Sequence, residues 1–217
     1  MITYAIGDIH GRHDLLLRAL DAIEAEAAAV RIVFLGDYVD RGPDSCGVLR
    51  TLMDGPRRDG DEWVCLKGNH EDMMARALSG GAAWRSGERY ECWLFNGGAE
   101  TLGSFAGSVP DDVLSWCASL LPKYETKNHF FVHAGVRPHV RLADQEQVDL
   151  LWIRDEFLGH EGDFGKHVVY GHTPRTEPVL ARHRTGIDTG AWFTGRLSAA
   201  CFDPATPGGP QSILTIR

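Results

Sequence analysis

The sequence predicts an α/β fold with a mixed β-sheet core and helices on its flanks. Short apolar runs rich in Val, Ile, Phe and Tyr recur along the chain, and each ends in glycine and polar residues, which is typical of buried strands. Segments with helical periodicity lie between the early runs, so strand and helix alternate as in βαβ units. After about residue 165 the helical patterns stop, and successive strand-like runs predict a more antiparallel end.

The predicted elements follow from these patterns in chain order. The predicted strands span residues 2–6, 31–35, 63–66, 130–132, 167–170, 185–188, 197–202 and 212–216. The longest predicted helix, 13–28, has apolar residues at helical spacing: Leu16, Leu17, Leu20 and Ile23. Shorter helices are predicted over 44–53, 71–78 and 111–121, and Pro110 marks the start of the last one.

Composition limits the class of protein. The chain has 217 residues, of which 43% are hydrophobic and 24% are charged, close to the average of soluble globular domains. This length predicts one domain over residues 1–217. A disordered or collagen-like chain does not fit this composition, and no stretch approaches the roughly 20 apolar residues that span a bilayer.

Charge and cysteine content narrow the partners and the compartment. Acidic residues outnumber Lys and Arg by 30 to 22, a formal net charge of −8, which argues against a nucleic-acid partner. The 5 cysteines are widely separated and form no C-x-x-C pair, as expected for reduced thiols. Because the N-terminus has no leader-like segment, we expect a cytoplasmic location and no membrane partner.

Polar side chains follow directly after five of the predicted strands, where open α/β sheets bind their ligands. Asp8 and His10 lie two residues apart at a strand end, so alternation puts both on one face, where they suit Mn, Fe, Co or Zn. Alone, such a pair is more often a turn or a hydrogen-bonded pair. Asp37 and Arg41 lie in an Asp-rich turn that could hold a local salt bridge, or a metal ion and a phosphate oxygen.

Polar residues after the later strands can likewise be interpreted as structural or as functional. Asn69 could cap the helix that follows it or supply a carbonyl ligand, and His70 could be an ordinary exposed histidine or a general acid. His133 and His172 each stand at a strand end, where a lone histidine is more often structural. Because the same pattern recurs at five strand ends, a shared site is favoured over independent coincidences.

Taken together, the five segments resemble the metallophosphoesterases, and within them the PPP-type serine/threonine phosphatases. The motifs that carry the resemblance appear in family order: GDIHG at 7–11, GDYVDRG at 36–42, GNHE at 68–71, HAG at 133–135 and GHT at 171–173. The compact bacterial and bacteriophage lambda branch is the most similar, since FNGG at 95–98 and IDTGA at 187–191 also look like it. The resemblance implies a calcineurin-like metallophosphoesterase fold, a central mixed β-sandwich flanked by helices, with a dinuclear metal site at the strand-end loops.

The resemblance also implies roles for residues at matching positions. It implies two divalent ions, with Mn²⁺ as the expected metal and iron or zinc as alternatives. The implied metal ligands are Asp8, His10, Asp37, Asn69, His133 and His172. His70 would act as the general acid and would be oriented by Asp40. Arg41 and Arg154 would hold the phosphate, beside Asn69.

The implied activity is hydrolysis of phosphomonoesters, in which a metal-bridging hydroxide attacks phosphorus in line and a histidine protonates the leaving group. The expected substrate is a phosphorylated protein or a small phosphorylated molecule, and the chain would be a monomeric serine/threonine or dual-specificity phosphatase. The alternative is a symmetrical dinucleoside tetraphosphatase, whose third motif usually ends in Asp where this chain has Glu71. A phosphodiesterase and an inactive binding module are further alternatives.

Some features keep two interpretations. Arg154 could be a surface arginine beside Asp155 and Glu156. Arg12, directly after the first motif, could attract phosphate or face solvent. The segment 79–96 is Gly-rich and aromatic and could cover the site, whereas the tryptophans are expected to be packing residues rather than substrate platforms.

Overall fold

A computed structural model describes residues 1–79 and 87–217 and contains two five-stranded sheets. The strands are β1 (Ile2–Ile6), β2 (Val30–Phe34), β3 (Glu62–Cys65), β4 (Lys123–Glu125), β5 (His129–Val132), β6 (His167–Tyr170), β7 (Val179–Leu180), β8 (Arg184–Gly186), β9 (Leu197–Phe202) and β10 (Ser212–Ile216). The first sheet has the order β10-β9-β1-β2-β3 and the second has the order β4-β5-β6-β8-β7. Three neighbouring strands in each sheet are parallel, β1-β2-β3 and β5-β6-β8. In the first sheet β9 is antiparallel to β1 and β10 is antiparallel to β9, and in the second β4 and β7 are antiparallel to β5 and β8.

Helices flank this pair of sheets. Those in the described residues are α1 (His13–Glu26), α2 (Ser45–Asp54), α3 (Asn69–Leu78), α4 (Glu88–Trp93), α5 (Ala99–Ser104), α6 (Asp111–Ser119), α7 (Gln147–Trp152), α8 (Asp155–Leu158) and α9 (Ala191–Thr194). A π-helical turn, Leu94–Gly98, joins α4 to α5. No helix of the described residues is long and apolar enough to cross a membrane.

An apolar layer lies between the two sheets. It combines Ala5 and Val33 of the first sheet with Phe131 and Val169 of the second. Neighbouring residues on the same strands, such as Ile6, point the other way into a cluster packed by helices, since alternate side chains of a strand face opposite sides. Both faces of the central strands are therefore buried, and this is why the sequence shows them as unbroken apolar runs.

The buried face of helix α1 differs from the predicted face at one residue. Leu16, Leu20 and Ile23 are buried as predicted, but Leu17 is 37% exposed, so its assignment to the buried stripe was wrong. Leu15 is buried instead. Leu17 lies about 100° further around the helix axis than Leu16, which turns its side chain towards solvent.

The predicted α/β class and the predicted strands are confirmed, with strand ends shifted by at most two residues. The expectation that helices stop after about residue 165 was wrong at one point, because α9 forms a single turn there. The sequence did not predict β4 and β7, which have three and two residues and are too short to show alternation. The 5 cysteines are free thiols. One domain over residues 1–217 stays a prediction.

Candidate metal centre and active site

The six predicted metal ligands lie together, because they follow parallel strands whose carboxyl ends meet at one edge of the molecule. Three strands of the first sheet, β1, β2 and β3, and two of the second, β5 and β6, contribute to the cluster. All six residues are at most 4% exposed: Asp8, His10, Asp37, Asn69, His133 and His172.

The loops that carry the site have an unusual backbone. Seven non-glycine residues in the described part of the chain have positive φ, and five of these belong to the predicted site: His10, Asp37, Asp40, Arg41 and His172. Such conformations are unfavourable and persist where surrounding contacts enforce them, commonly at functional sites. The backbone is thus held in a form that local sequence preferences do not explain.

Asp37 lies at the centre of the cluster. Its Oδ2 is 3.5 Å from His10 Nε2, and its Oδ1 is 3.3 Å from His133 Nε2. Two groups of possible ligand atoms share this carboxylate, and within each group the atoms lie within 4.8 Å of one another. One group is formed by His10, Asp37 and His70, and the other by Asp37, His133 and His172. A carboxylate with one oxygen towards each group can bridge two cations.

Asn69 completes the second of these groups. Its Oδ1 is 2.8 Å from His133 Nε2 and 2.9 Å from His172 Nδ1. Burial lowers the pKa of His133 and that of His172, so both imidazoles are neutral near pH 7. An amide oxygen, a carboxylate and two neutral imidazoles that converge on one point form a donor set that fits a divalent cation such as Mn, Fe or Zn.

Backbone carbonyls orient two of the histidines. His10 Nδ1 is 2.8 Å from Val39 O, and His133 Nδ1 is 2.9 Å from Leu35 O. Because a carbonyl oxygen can only accept, each Nδ1 carries the proton and each Nε2 keeps its lone pair for a metal. Burial lowers the pKa of His10 to about 3, which keeps this ring neutral as well.

Buried carboxylates gather beside this donor set. The backbone N–H of His172 donates to both oxygens of Asp8 at 3.1 Å. Asp8 can lie this close to the backbone because residue 171 is glycine: a Cβ at that position would be 2.0 Å from Asp8 Oδ1. Burial and the charges of Asp188 and Asp37 raise the pKa of Asp8. Asp188, to which the sequence analysis gave no role, is also buried, and burial raises its pKa to about 6. This excess of buried negative charge is unfavourable without cations and fits bound divalent ions.

His70 and Asp40 form a buried pair beside Asp37. His70 Nδ1 is 2.7 Å from Asp40 Oδ2, and His70 Nε2 is 3.9 Å from Asp37 Oδ2. Burial alone would lower the pKa of His70, but the charge of Asp37 and the hydrogen bond to Asp40 raise it above its ordinary value. The Asp40 carboxylate at Nδ1 thus stabilises the protonated imidazole, which is what a histidine general acid needs.

Two residues that the sequence analysis missed hold Asp40. Trp93 Nε1 donates to both Asp40 oxygens, at 3.0 and 3.1 Å, and Thr101 Oγ1 donates to Oδ1 at 2.7 Å. Trp93 is fully buried, as expected for a packing tryptophan, but its indole also orients this carboxylate. The two donors lie 53 and 61 residues from Asp40 in the sequence, so no local motif could reveal them.

Glu71 anchors the turn that carries Asp37. Its carboxylate accepts from the backbone N–H groups of Asp37 and Gly68, at 2.9 Å each, and from that of Tyr38 at 2.7 Å. The side chain is fully buried, and burial with the charge of Asp37 raises the pKa of Glu71 to about 7. In the sequence Glu71 served only to separate substrate classes, whereas in the structure its carboxylate holds the turn that carries Asp37.

Two arginines reach the cluster from its rim. Arg41 Nη1 is 3.1 Å from His10 Nε2, and Arg41 Nη2 is 3.0 Å from His70 Nε2. Arg154 is exposed, yet its Nε donates to His172 Nε2 at 3.1 Å. The structure therefore brings both arginines to the predicted site.

Arg12 and the described residues of the segment 79–96, for which the sequence left the role open, do not belong to the ligand cluster. Arg12 pairs with Asp14 at 2.7 Å and donates to Ala191 O at 2.9 Å, so it ties the start of α1 to α9. Residues 80–86 of the predicted covering segment 79–96, with Trp84, lie outside the described residues. Asn96 of the same segment lines a groove beside Arg41.

Comparison with known proteins gives relatives of two activities. Residues 1–199 match the family model of calcineurin-like phosphoesterases. The serine/threonine-protein phosphatase 1 of Salmonella typhimurium is 30% identical, with 91% of this chain and 90% of that protein covered. The symmetrical bis(5'-nucleosyl)-tetraphosphatase of Nitrosomonas europaea is 28% identical, with 80% of this chain but 59% of that protein covered.

Solved structures share the fold. The crystal structure of a proposed diadenosine tetraphosphatase has a TM-score of 0.72 at 24% identity, with 99% of this chain and 92% of that chain covered. A serine/threonine phosphatase of Saccharomyces cerevisiae has a TM-score of 0.61 at 17% identity, with 100% of this chain and 80% of that chain covered. These matches confirm the fold and the family that the motifs indicated. The chain is therefore a hydrolytic enzyme of the calcineurin-like phosphoesterase family.

Proposed function

We propose that this protein is a phosphatase that uses two divalent ions to hydrolyse phosphomonoesters of serine and threonine in proteins. One observation carries the proposal: two groups of buried ligand atoms share Asp37, and the His70–Asp40 pair lies directly beside them. Such a combination supplies both a two-metal centre and a proton donor for the leaving group.

The donor set fits two cations. We assign one ion to Asp8, His10 and Asp37, and a second to Asp37, Asn69, His133 and His172. When bound, two such ions withdraw charge from the phosphate and lower the pKa of a nucleophilic water. Because these ligands are nitrogen and oxygen atoms with no thiolate, we propose Mn²⁺, with iron or zinc as alternatives.

His70 is the proposed general acid. Its Nε2 would give a proton to the departing serine or threonine oxygen, while Asp40 at Nδ1 holds the ring and stabilises its charged form. Trp93 and Thr101 in turn fix Asp40. An alkoxide is a poor leaving group, so this proton is needed more for phosphoserine than for an activated aryl phosphate.

Arg41 and Arg154 are the proposed phosphate ligands. One contacts His10 and His70 and the other contacts His172, so the two guanidinium groups lie against both halves of the cluster. Planar guanidinium groups bind phosphate oxygens in pairs and offset charge that develops during transfer. Two of them suit a terminal phosphate dianion better than a phosphodiester.

The share of each relative's length that matches this chain favours a protein substrate over a dinucleotide. The Salmonella phosphatase matches over nearly the whole of both chains, whereas the Nitrosomonas tetraphosphatase extends well beyond the matched part. Glu71, which ends the third motif where tetraphosphatases usually have Asp, supports the same choice. We further propose that the enzyme works as a cytoplasmic monomer without nucleic-acid or membrane partners, in line with its net charge of −8 and its 5 free thiols.

Symmetrical hydrolysis of dinucleoside tetraphosphates is the second candidate, since both a relative and a structural neighbour carry that description. The test compares kcat/KM for a phosphoserine peptide and for diadenosine tetraphosphate with Mn²⁺-loaded enzyme, using Asp37→Asn as the inactive control. We expect at least tenfold faster turnover of the peptide, an advantage of about 1.4 kcal/mol. The reverse ratio would assign the second activity, and turnover of neither substrate would contradict both.

A further inference from the structure

We propose that Phe95, Trp192 and Phe193 form an aromatic surface that binds an aromatic side chain of the phosphopeptide next to its phosphorylated residue. The inference rests on the proposed function and specifies which sequences that activity prefers. It assigns a substrate-selecting role to residues outside the metal centre.

A groove joins these residues to the phosphate position. It has a volume of about 450 Å³, and Arg41 lines it together with Phe95, Trp192 and Phe193. Because Arg41 also contacts His10 and is the proposed phosphate ligand, the groove and the proposed phosphate position share this side chain. The substrate group that the proposal places in the groove is therefore a side chain next to the phosphorylated residue.

The exposure of these rings is unusual for this chain. Phe95 is 92% exposed, Phe193 is 54% exposed and Trp192 is 43% exposed. In the described residues, they are three of the four exposed Phe and Trp side chains, and all three line the same groove. Single exposed apolar residues are ordinary, but a cluster of rings beside a reaction site indicates a binding surface.

Phe95 belongs to a segment that is hydrogen-bonded to the Arg41 backbone. Phe95 stands on the π-helical turn Leu94–Gly98, whose Gly97 O accepts from Arg41 N at 3.3 Å. Gly97 has a φ of +105°, and a Cβ there would lie 2.5 Å from Arg41 N, so only glycine permits this approach.

Helix α9 carries the other two aromatic side chains of the surface. Trp192 and Phe193 lie on α9, whose first carbonyl, Ala191 O, accepts from Arg12. The Arg41 guanidinium lies 5.6 Å from the Trp192 ring centroid, and the Trp192 and Phe193 rings meet edge to face at 5.1 Å. The surface is thus fixed relative to the phosphate position rather than left to a loose loop.

Charge selects the kind of occupant. Of the residues that the structure describes, Arg41 and Glu100 are the two charged ones that line this groove, so once Arg41 holds the substrate phosphate a second anionic group would meet the Glu100 carboxylate. A polyphosphate chain is disfavoured for this reason, whereas an uncharged ring gains from packing against the three aromatic side chains. Within a phosphopeptide, Phe, Tyr and Trp are the residues that meet both conditions.

The experiment measures kcat/KM for phosphoserine peptides in which Phe or Ala occupies each flanking position in turn. For wild type we expect one position at which Phe is preferred by about five- to tenfold, chiefly through KM, as one aromatic contact predicts. In Trp192→Ala and Phe95→Ala this preference should fall to about one, and Trp192→Phe should retain most of it. Leu180→Ala, at a residue that is 64% exposed and outside the groove, is the matched control and should keep the full preference.

Equal turnover of Phe and Ala peptides by wild type at every position would overturn the inference and leave the phosphatase activity intact. So would an unchanged preference in both alanine variants, with thermal melting used to show that they are folded. If the variants slow hydrolysis of diadenosine tetraphosphate and leave peptides unaffected, the occupant is a nucleobase and the peptide assignment is wrong. Failure of wild type on every phosphopeptide would overturn the proposed function, and this inference with it.

Discussion

Replacing Glu71 by glutamine tests how the metal loop is held without touching a proposed metal ligand. Glu71 Oε2 accepts from the N–H groups of Asp37 and Gly68, and Oε1 accepts from those of Tyr38 and Val39, at distances of 2.7 to 3.3 Å. A glutamine has a single oxygen, so it can keep the bonds on one side and must turn an N–H₂ group towards the two donors on the other.

The expected loss follows from those two bonds. A hydrogen bond to a charged acceptor contributes about 1.5–3 kcal/mol, so two of them amount to about 3–6 kcal/mol. We take the lower end, about 3 kcal/mol, because burial raises the pKa of Glu71 to about 7 and part of its charge is already lost near neutrality. A loss of this size lowers the melting temperature of a chain this long by roughly 6–12 °C. Since Asp37 moves with the loop, Mn²⁺ affinity should fall by at least about tenfold.

Thermal unfolding and calorimetric titration with Mn²⁺ measure these two effects. Glu62→Gln is the matched control, because Glu62 is exposed and its one ion pair within residues 1–79 and 87–217 is the surface contact with Arg31, which contributes about 0–1 kcal/mol. If Glu71→Gln melts and binds Mn²⁺ like Glu62→Gln, the positioning role of Glu71 is refuted.

Three further predictions concern the acid and the effect of pH. In His70→Asn, hydrolysis of a phosphoserine peptide should slow by about 10²–10⁴-fold but that of p-nitrophenyl phosphate by less than about tenfold, and equal slowing would argue against an acid role. Trp93→Phe removes the indole donor to Asp40, so kcat for phosphoserine should fall by about tenfold with KM nearly unchanged; a change confined to KM would contradict this. Burial lowers the pKa of His167 to about 4, from about 6.5 in the unfolded chain, so its contribution to stability is complete above pH 6.5 and is lost as pH falls towards 4. Between pH 6.5 and 5.5, urea unfolding of wild type should therefore lose about 1 kcal/mol more than that of His167→Gln, and identical pH slopes would refute the assignment.

The sequence predicted which candidate residues lie close together where their motifs are local. Asp8 and His10 lie two residues apart after β1, and the rule that parallel strands of a sheet share a carboxyl-end edge places them near Asp37. The same rule places His133 near His172 in the second sheet. Each motif contains its ligand together with the glycine that permits its backbone. Strand pairing therefore forms each half of the cluster, and the packing of the two sheets on each other brings the halves together.

Contacts that depend on distant parts of the chain could not be predicted in this way. Trp93 and Thr101 reach Asp40 because the π-helical turn and α5 pack against the second motif, and nothing near Asp40 in the sequence encodes that packing. Glu71 is visible as a motif residue, but its backbone bonds to Asp37 depend on a left-handed φ of 54° at that residue. The exposure of Phe95 likewise follows from the tertiary structure and has no sequence signature.

The most direct test of the account is anomalous diffraction from crystals soaked with Mn²⁺ and phosphate. We expect two peaks roughly 3.5–4 Å apart, with Asp37 between them and a phosphate against Arg41 and Arg154. Crystals of Asp37→Asn should lose at least one of the two peaks. A single peak in the wild type, or two peaks that persist in Asp37→Asn, would contradict the claim that this carboxylate bridges a pair of catalytic ions.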